Sequence, residues 1–230
     1  MKSTYQTVLA ISLLGITIVF SQPKQSTISS LNRFSNYKIL IEEKSIIYLK
    51  GTSTGHAWQS KATEKHFTGD ILVPPEYSFS LDSDIDIKAL LEKGMIKNFK
   101  LIIPVNKIIS SSKILDNNLQ KAMDAKIFPN IVFEGSSFFW DKTLNKLELE
   151  GNLIIANVTK PVVVVANLSI DNQSIKISGV QKILMTNYNI DPPAFMWGVM
   201  QTGNLVEVHF DFYVQIYEFS TEITQKRSSL

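Results

Sequence analysis

The chain has 230 residues, 44% of them hydrophobic, with a formal net charge of +2 and no cysteine. Near-neutral charge excludes a broad nucleic-acid-binding surface, and the missing cysteine excludes disulfides, thiolate metal sites and a lipidated N-terminal cysteine. The length suits one large all-β domain held together by packing alone.

Met1–Gln22 comes first, with Lys2 as its positive start and an apolar run from Val8 to Phe20 interrupted by Ser12, Gly15 and Thr17. This predicts a secretory signal peptide over residues 1–22. An uncleaved anchor is the alternative, although the run is short for a membrane span of about 20 residues. Its removal would take away Lys2 alone and leave 22 basic against 21 acidic side chains, a net charge of +1. Residues 23–36, rich in Ser, Gln, Thr and Asn, read as a linker, 37–218 as the domain, and 219–230 as a C-terminal tail.

From Tyr37 onward the dominant signal is alternation with period two. Ile47, Leu49, Gly51 and Ser53 share one face of a strand continuing toward Trp58, and His66–Val73 is expected as its hairpin partner. Phe79, Leu81, Ile85 and Ile87 alternate with Ser80, Asp82, Asp84 and Asp86, which predicts a further strand with an acidic, solvated face. That acidic spacing lacks the glycine and distal glutamate of a calcium loop. Phe99–Val105 continues the strand pattern.

Behind Ser110–Ser112, Leu115, Leu119, Ala122 and Met123 are spaced for one amphipathic helix ending near Ala125, with Pro129 beyond it. Alternation then returns in Leu147–Ile155, Val162–Leu168 and Ile175–Met185. It is cleanest in Val206, Val208, Phe210, Phe212, Val214 and Ile216. Between the last two strands, Met185–Gly203 is rich in aromatics and methionines but is bent by Pro192, Pro193, Gly198 and Gly203. A loop so apolar covers something.

Three stretches carry a resemblance: Leu101–Phe138, Leu149–Val164 and Lys182–Phe212. With GTSTGHAW at Gly51–Trp58 and His66-Phe67-Thr68-Gly69, they resemble the YceI-like family across Tyr37–Tyr217. The most specific pieces are Phe128–Phe133 and Met185-Thr186 followed by Ile190-Asp191-Pro192-Pro193. The resemblance implies an all-β fold: an extended eight-stranded antiparallel lipocalin-like β-barrel with one short amphipathic helix. It also implies a periplasmic or secreted protein that holds a long-chain polyisoprenoid, an isoprenoid quinone or a similar lipid in an elongated tunnel. Asn189 and Asn204 depart from the family pattern where glycine and aspartate are usual.

A barrel of this size either fills with its own side chains or holds one slim ligand. Candidate ligand-binding residues are Trp58, Met123, Phe128, Phe133, Met185, Phe195, Met196, Trp197, Met200, Phe210 and Phe212, and Gly51, Ser53, Ala166 and Gly179 would leave them room. His56 and His66 are candidates for a polar tunnel mouth and would be cross-strand neighbours if the hairpin turned near Lys61. No cofactor, resident metal or catalytic residue is expected, since no phosphate loop, nucleophile elbow or cysteine nucleophile occurs. Transient membrane contact and a homodimer are both compatible with such a barrel. A filled barrel serving protein interaction or a stress response is the alternative reading, and a histidine-dependent metal site is the third.

Overall fold

The computed structural model describes residues 12–13, 16–17, 35–195 and 200–219. The chain divides into two units, 1–33 and 34–230. In the first, β1 (Ser12–Leu13) and β2 (Ile16–Thr17) pair antiparallel, Ser12 opposite Thr17. The rest of the expected leader and the tail from 220 onward lie outside the described residues, and the expected linker already runs into strand at Ser35.

The second unit is a closed antiparallel barrel. Its strands are β3 (Ser35–Ile41), β4 (Ile46–Ser53), β5 (His56–Ala62), β6 (His66–Val73), β7 (Met95–Pro104), β8 (Ile108–Ile109), β9 (Asn130–Asp141), β10 (Lys146–Ile155), β11 (Val158–Asp171), β12 (Ser174–Leu184), β13 (Ala194–Phe195) and β14 (Met200–Glu218). Two long staves are each bent into two strands, β3 with β4 and β5 with β6. Together with β7, β9, β10, β11, β12 and β14 they make eight staves, each hydrogen-bonded to the next in sequence. β14 closes the ring, pairing with β12 along one edge and with β3 and β4 along the other. Closure removes most of the sheet edges that an open sheet would expose.

Local chemistry accounts for the bends and turns. At the first bend, Ser45, 2% exposed, replaces a lost backbone rung: its hydroxyl accepts from Tyr213 N at 2.8 Å and donates to Tyr213 O at 3.3 Å. The β10–β11 and β11–β12 turns each place two consecutive residues at positive φ, Ala156 with Asn157 and Asn172 with Gln173. That pairing suits the right-handed twist of a two-residue hairpin. Gly55, φ 83°, turns β4 into β5.

The structure corrects three sequence-based expectations. The hairpin partner of β4 is β5, turning at Thr54–Gly55 rather than near Lys61, while His66–Val73 pairs with β3 and β7. The predicted strand through Ile85 and Ile87 is instead the start of a helix, α1 (Asp84–Lys93), so the barrel carries two short helices rather than one. Ser83 caps it, its hydroxyl accepting from Asp86 N at 3.1 Å, and Asp84 and Asp86 sit in the first turn where the helix dipole favours negative charge. Of the acidic residues expected on one strand face, Asp84 and Asp86 therefore form the first turn of a helix, and Asp82 precedes its cap. The predicted amphipathic helix is α2 (Lys113–Ala122), capped by Ser112.

In an up-and-down barrel the connections alternate between two ends. α1 joins β6 to β7 at the end bearing the β9–β10 and β11–β12 turns. Asp84 Oδ1 accepts there from Gln173 N at 2.6 Å, and Lys142 Nζ meets Glu92 Oε2 at 2.7 Å. α2 lies at the opposite end, with the β4–β5 and β10–β11 turns and the long β12–β14 connection.

Candidate functional site

The inward faces of the staves do not meet. They enclose an apolar lumen with a cavity of about 250 Å³, lined from every stave and from both helices. The alternating inward set of β14, Val206 to Ile216, forms one wall, and Leu147, Leu149, Leu153 and Ile155 of β10 form another. Leu91 of α1 closes one end; Leu115, Leu119 and Ala122 of α2 lie across the other. Among the described residues no charged side chain lines it.

Small inward residues shape this space differently from expectation. A Cβ on Gly51 would lie 2.3 Å from the Trp58 ring, and one on Gly179 would lie 2.7 Å from the Phe210 ring. Each pair stands directly opposite across a strand pair. Gly151 seats Phe133 and Gly135 seats Phe99 in the same way, at 2.8 and 2.9 Å. The glycines therefore do not widen the lumen by being small. They let aromatic rings lie back against the wall, and the flattened rings leave the axis open. The rings also touch one another: Phe99 meets Phe67 and Phe133 edge-on at 4.9 and 5.8 Å, and Phe210 stacks with Phe212 at 5.2 Å.

Of the candidate ligand-binding residues, Trp58, Met123, Phe133, Met185, Phe210 and Phe212 line the lumen. Trp58 is further fixed by its Nε1, which donates to Thr52 O at 3.2 Å. Phe128 is half-buried outside the lining. Phe195 and Met200 are opposite one another where β13 meets β14. Met196 and Trp197 lie outside the described residues. His56 faces Ser53 beside the β4–β5 turn, while His66 pairs across to Ile102 and bonds Glu64 Oε1 at 3.0 Å, so the two are not cross-strand neighbours. Neither lines the lumen. Among the described residues no three His, Cys, Asp or Glu side chains gather into a metal-binding group.

Polar lining residues that the sequence did not single out are Asn118, Gln181, Tyr188 and Thr202. All belong to the α2 end: one on α2, one near the end of β12, one in the β12–β14 connection and one at the start of β14. Tyr188 is buried, and that burial pushes its phenol pKa up, so it stays neutral. Asn118 had a signal, since it shares the i, i+3, i+4 apolar face with Leu115 and Leu119. The connection is held in place by its two unusual asparagines. Asn189 takes the left-handed conformation at φ 56°, which asparagine tolerates better than most residues. Asn204 clips the connection to β14, accepting from Thr186 N at 3.0 Å and donating to Thr186 Oγ1 at 2.9 Å.

The wall has two breaches. Where the β3–β4 and β5–β6 bends coincide, Leu40–Glu43 and Thr63–Phe67 border a side hollow, and Ile41 and Phe67 line both that hollow and the lumen. Its rim is mixed in charge, with Glu42, Glu43 and Glu64 beside Lys65 and His66. Glu64 is held below the ordinary carboxylate range, chiefly by its hydrogen bonds with Lys107 and His66. The second breach lies between β11 and β12, whose ladder stops at Ala166 opposite Gly179.

The sequence matches the family model of the YceI-like domain over residues 40–214. Among solved structures, BcnA from Burkholderia cenocepacia is similar, at 15% identity and a TM-score of 0.56, covering 76% of this chain and 99% of that one. A polyisoprenoid binding domain from Saccharophagus degradans, implicated in plant cell wall breakdown, is similar at 8% identity and a TM-score of 0.50, over 78% of this chain and 97% of that one. At such identities these two likenesses are of fold. No curated protein sequence matches.

Proposed function

On the premise that the chain belongs to the YceI-like family, we propose that its barrel is a lipid carrier that holds a long-chain polyisoprenoid or similar amphiphile in the lumen. The observation that carries this reading is the lining itself: a cavity of about 250 Å³ walled by aliphatic and aromatic side chains, with its few polar groups gathered at one end. An amphiphile fits that asymmetry, with its tail among the staves and its head beside Asn118, Gln181, Tyr188 and Thr202. Each buried methylene contributes about 0.8 kcal/mol relative to water. Relative to a bilayer the transfer is nearly neutral, so the ligand can be taken from one membrane and given to another without chemistry. The polyisoprenoid named for the Saccharophagus degradans domain is consistent with such a tail. The leader-like run Val8–Phe20 supports a protein that works after export.

The test is direct. Organic extracts of the protein purified from its native source are expected to contain a long-chain lipid by mass spectrometry, and emptied protein is expected to take up a polyprenyl quinone from detergent. Absence of both would refute the reading.

A further inference from the structure

A ligand this insoluble must pass between lumen and bilayer, and the wall offers one place shaped for that passage. Beyond Ala166–Gly179, residues 158–165 of β11 pair with β10 alone and residues 180–184 of β12 pair with β14 alone, among the described residues. From there toward the α2 end the two staves are not hydrogen-bonded to each other, and the turn Met185–Tyr188 that follows β12 comes back beside β11. Val162 and Val164 on one side and Gln181 and Ile183 on the other line the lumen, so the gap opens directly onto the cavity and its polar end.

Parity then decides what the outside of the gap presents. The alternate residues face outward: Val163 and Val165 on β11 and Val180 and Leu184 on β12 are 50%, 45%, 45% and 41% exposed, and Leu205, opposite Leu184 on β14, is 42% exposed. A barrel with one solvated face needs no such residues there, and exposed apolar side chains grouped around an opening mark an interaction surface. We propose that the β11–β12 slot is a lateral portal and that its outer rim docks on a lipid bilayer, from which the chain slides sideways into the lumen. The proposal rests on the carrier reading above.

Continuity with the apolar lumen and the chemistry of the free strand edge favour a bilayer as the occupant of this rim. The outward valines and leucines run without a break into the lumen-facing Val162, Val164 and Ile183, with Lys182 between Val180 and Leu184 and with Glu148, Glu150 and Glu207 on the neighbouring strands as the polar border of the patch. The free edge of β11 also carries Lys160 and Pro161, and a proline without an N–H beside a lysine blunts strand addition by a second copy. The valines and leucines remain for lipid.

The experiment uses phosphatidylcholine vesicles loaded with a polyprenyl quinone and follows the rate at which the purified protein extracts it. A triple variant, Val163→Glu, Val165→Glu and Val180→Glu, leaves every lumen-facing side chain in place. It is expected to fill normally from detergent, which also shows that it folds, while its extraction rate from vesicles falls by about tenfold or more. Val163→Ser with Val165→Ser, a milder change, lowers the rate less. A control pair on exposed apolar residues at the α1 end, Phe139→Glu with Leu144→Glu, extracts at the wild-type rate. Wild-type extraction by the triple variant would overturn the portal while leaving the carrier intact, as would equal slowing by the control. A wild-type dimer that the triple variant abolishes in sedimentation would assign the rim to a second copy instead. Failure of the wild type to fill even from detergent would remove both the carrier and its portal.

Discussion

The two helices have the same length and the same kind of cap, yet they close opposite ends of the barrel in opposite ways. α1 drives Ile87, Leu90 and Leu91 into the core, at 3%, 0% and 8% exposure, and Gly94 behind it packs against Ile71 so tightly that a Cβ would lie 2.2 Å from that side chain. α2 buries none of its residues fully, although its apolar face is turned to the lumen. Amphipathic pattern therefore does not measure attachment. α1 is a plug whose loss costs stability, whereas α2 is a cover whose apolar face looks onto empty space.

Mutations should separate plug from cover. The largest effect is expected from Leu90→Ala, about 2–5 kcal/mol of stability in denaturant unfolding, with lipid uptake per folded molecule unchanged. Leu119→Ala in α2 removes contacts already facing a cavity and should cost only about 1 kcal/mol, but it should speed lipid release. If both variants lose stability equally, the distinction fails. The caps offer a finer comparison. Ser83→Ala should lower global stability by about 1 kcal/mol. Ser112→Ala should barely move the unfolding midpoint and instead increase amide exchange across α2, because its helix can fray without opening the core.

The smallest effect concerns Asp70, on the stave beneath α1. Burial alone would raise its pKa, but hydrogen bonds from Lys38 and Asn98 and the Lys38 charge outweigh it and hold the carboxyl below its ordinary value. Because the folded value is the lower one, this contribution is complete above the unfolded pKa of about 3.9 and is lost as pH falls through the folded value. Asp70→Asn should therefore flatten the acid side of the stability profile and leave its alkaline side unchanged. A pH series of melting temperatures would show it.

Much of the barrel was legible because inward and outward residues alternate over long runs, as in Val206–Ile216 and Leu147–Ile155. α1 reads as strand because the alternation of Phe79–Ile87 reaches only from Asp84 to Ile87 into the helix, too short a run to tell period two from a helix start. The better signal was Ser83 with Asp86 three residues on, followed by Ile87, Leu90 and Leu91 at helical spacing. The bent staves were missed for another reason: the rung that Ser45 supplies goes to Tyr213, far along the chain. The lumen was legible only in part. Its aromatic walls could be guessed from alternation, but which glycine seats which ring depends on register between strands. The end of the β11–β12 ladder at Ala166 and Gly179 has no local signature at all.

The closing role of β14 sets the order in which the binding site can come into existence during synthesis. Every other stave pairs with a neighbour already made, but the first stave waits for partners some 160 residues downstream, Lys50 for Glu207 and Ile41 for Val214. Until β14 emerges the nascent chain is a curled sheet with two open edges and no enclosed cavity. A chain halted before Met200 is therefore expected to expose the apolar inner faces of seven staves as an aggregation-prone surface.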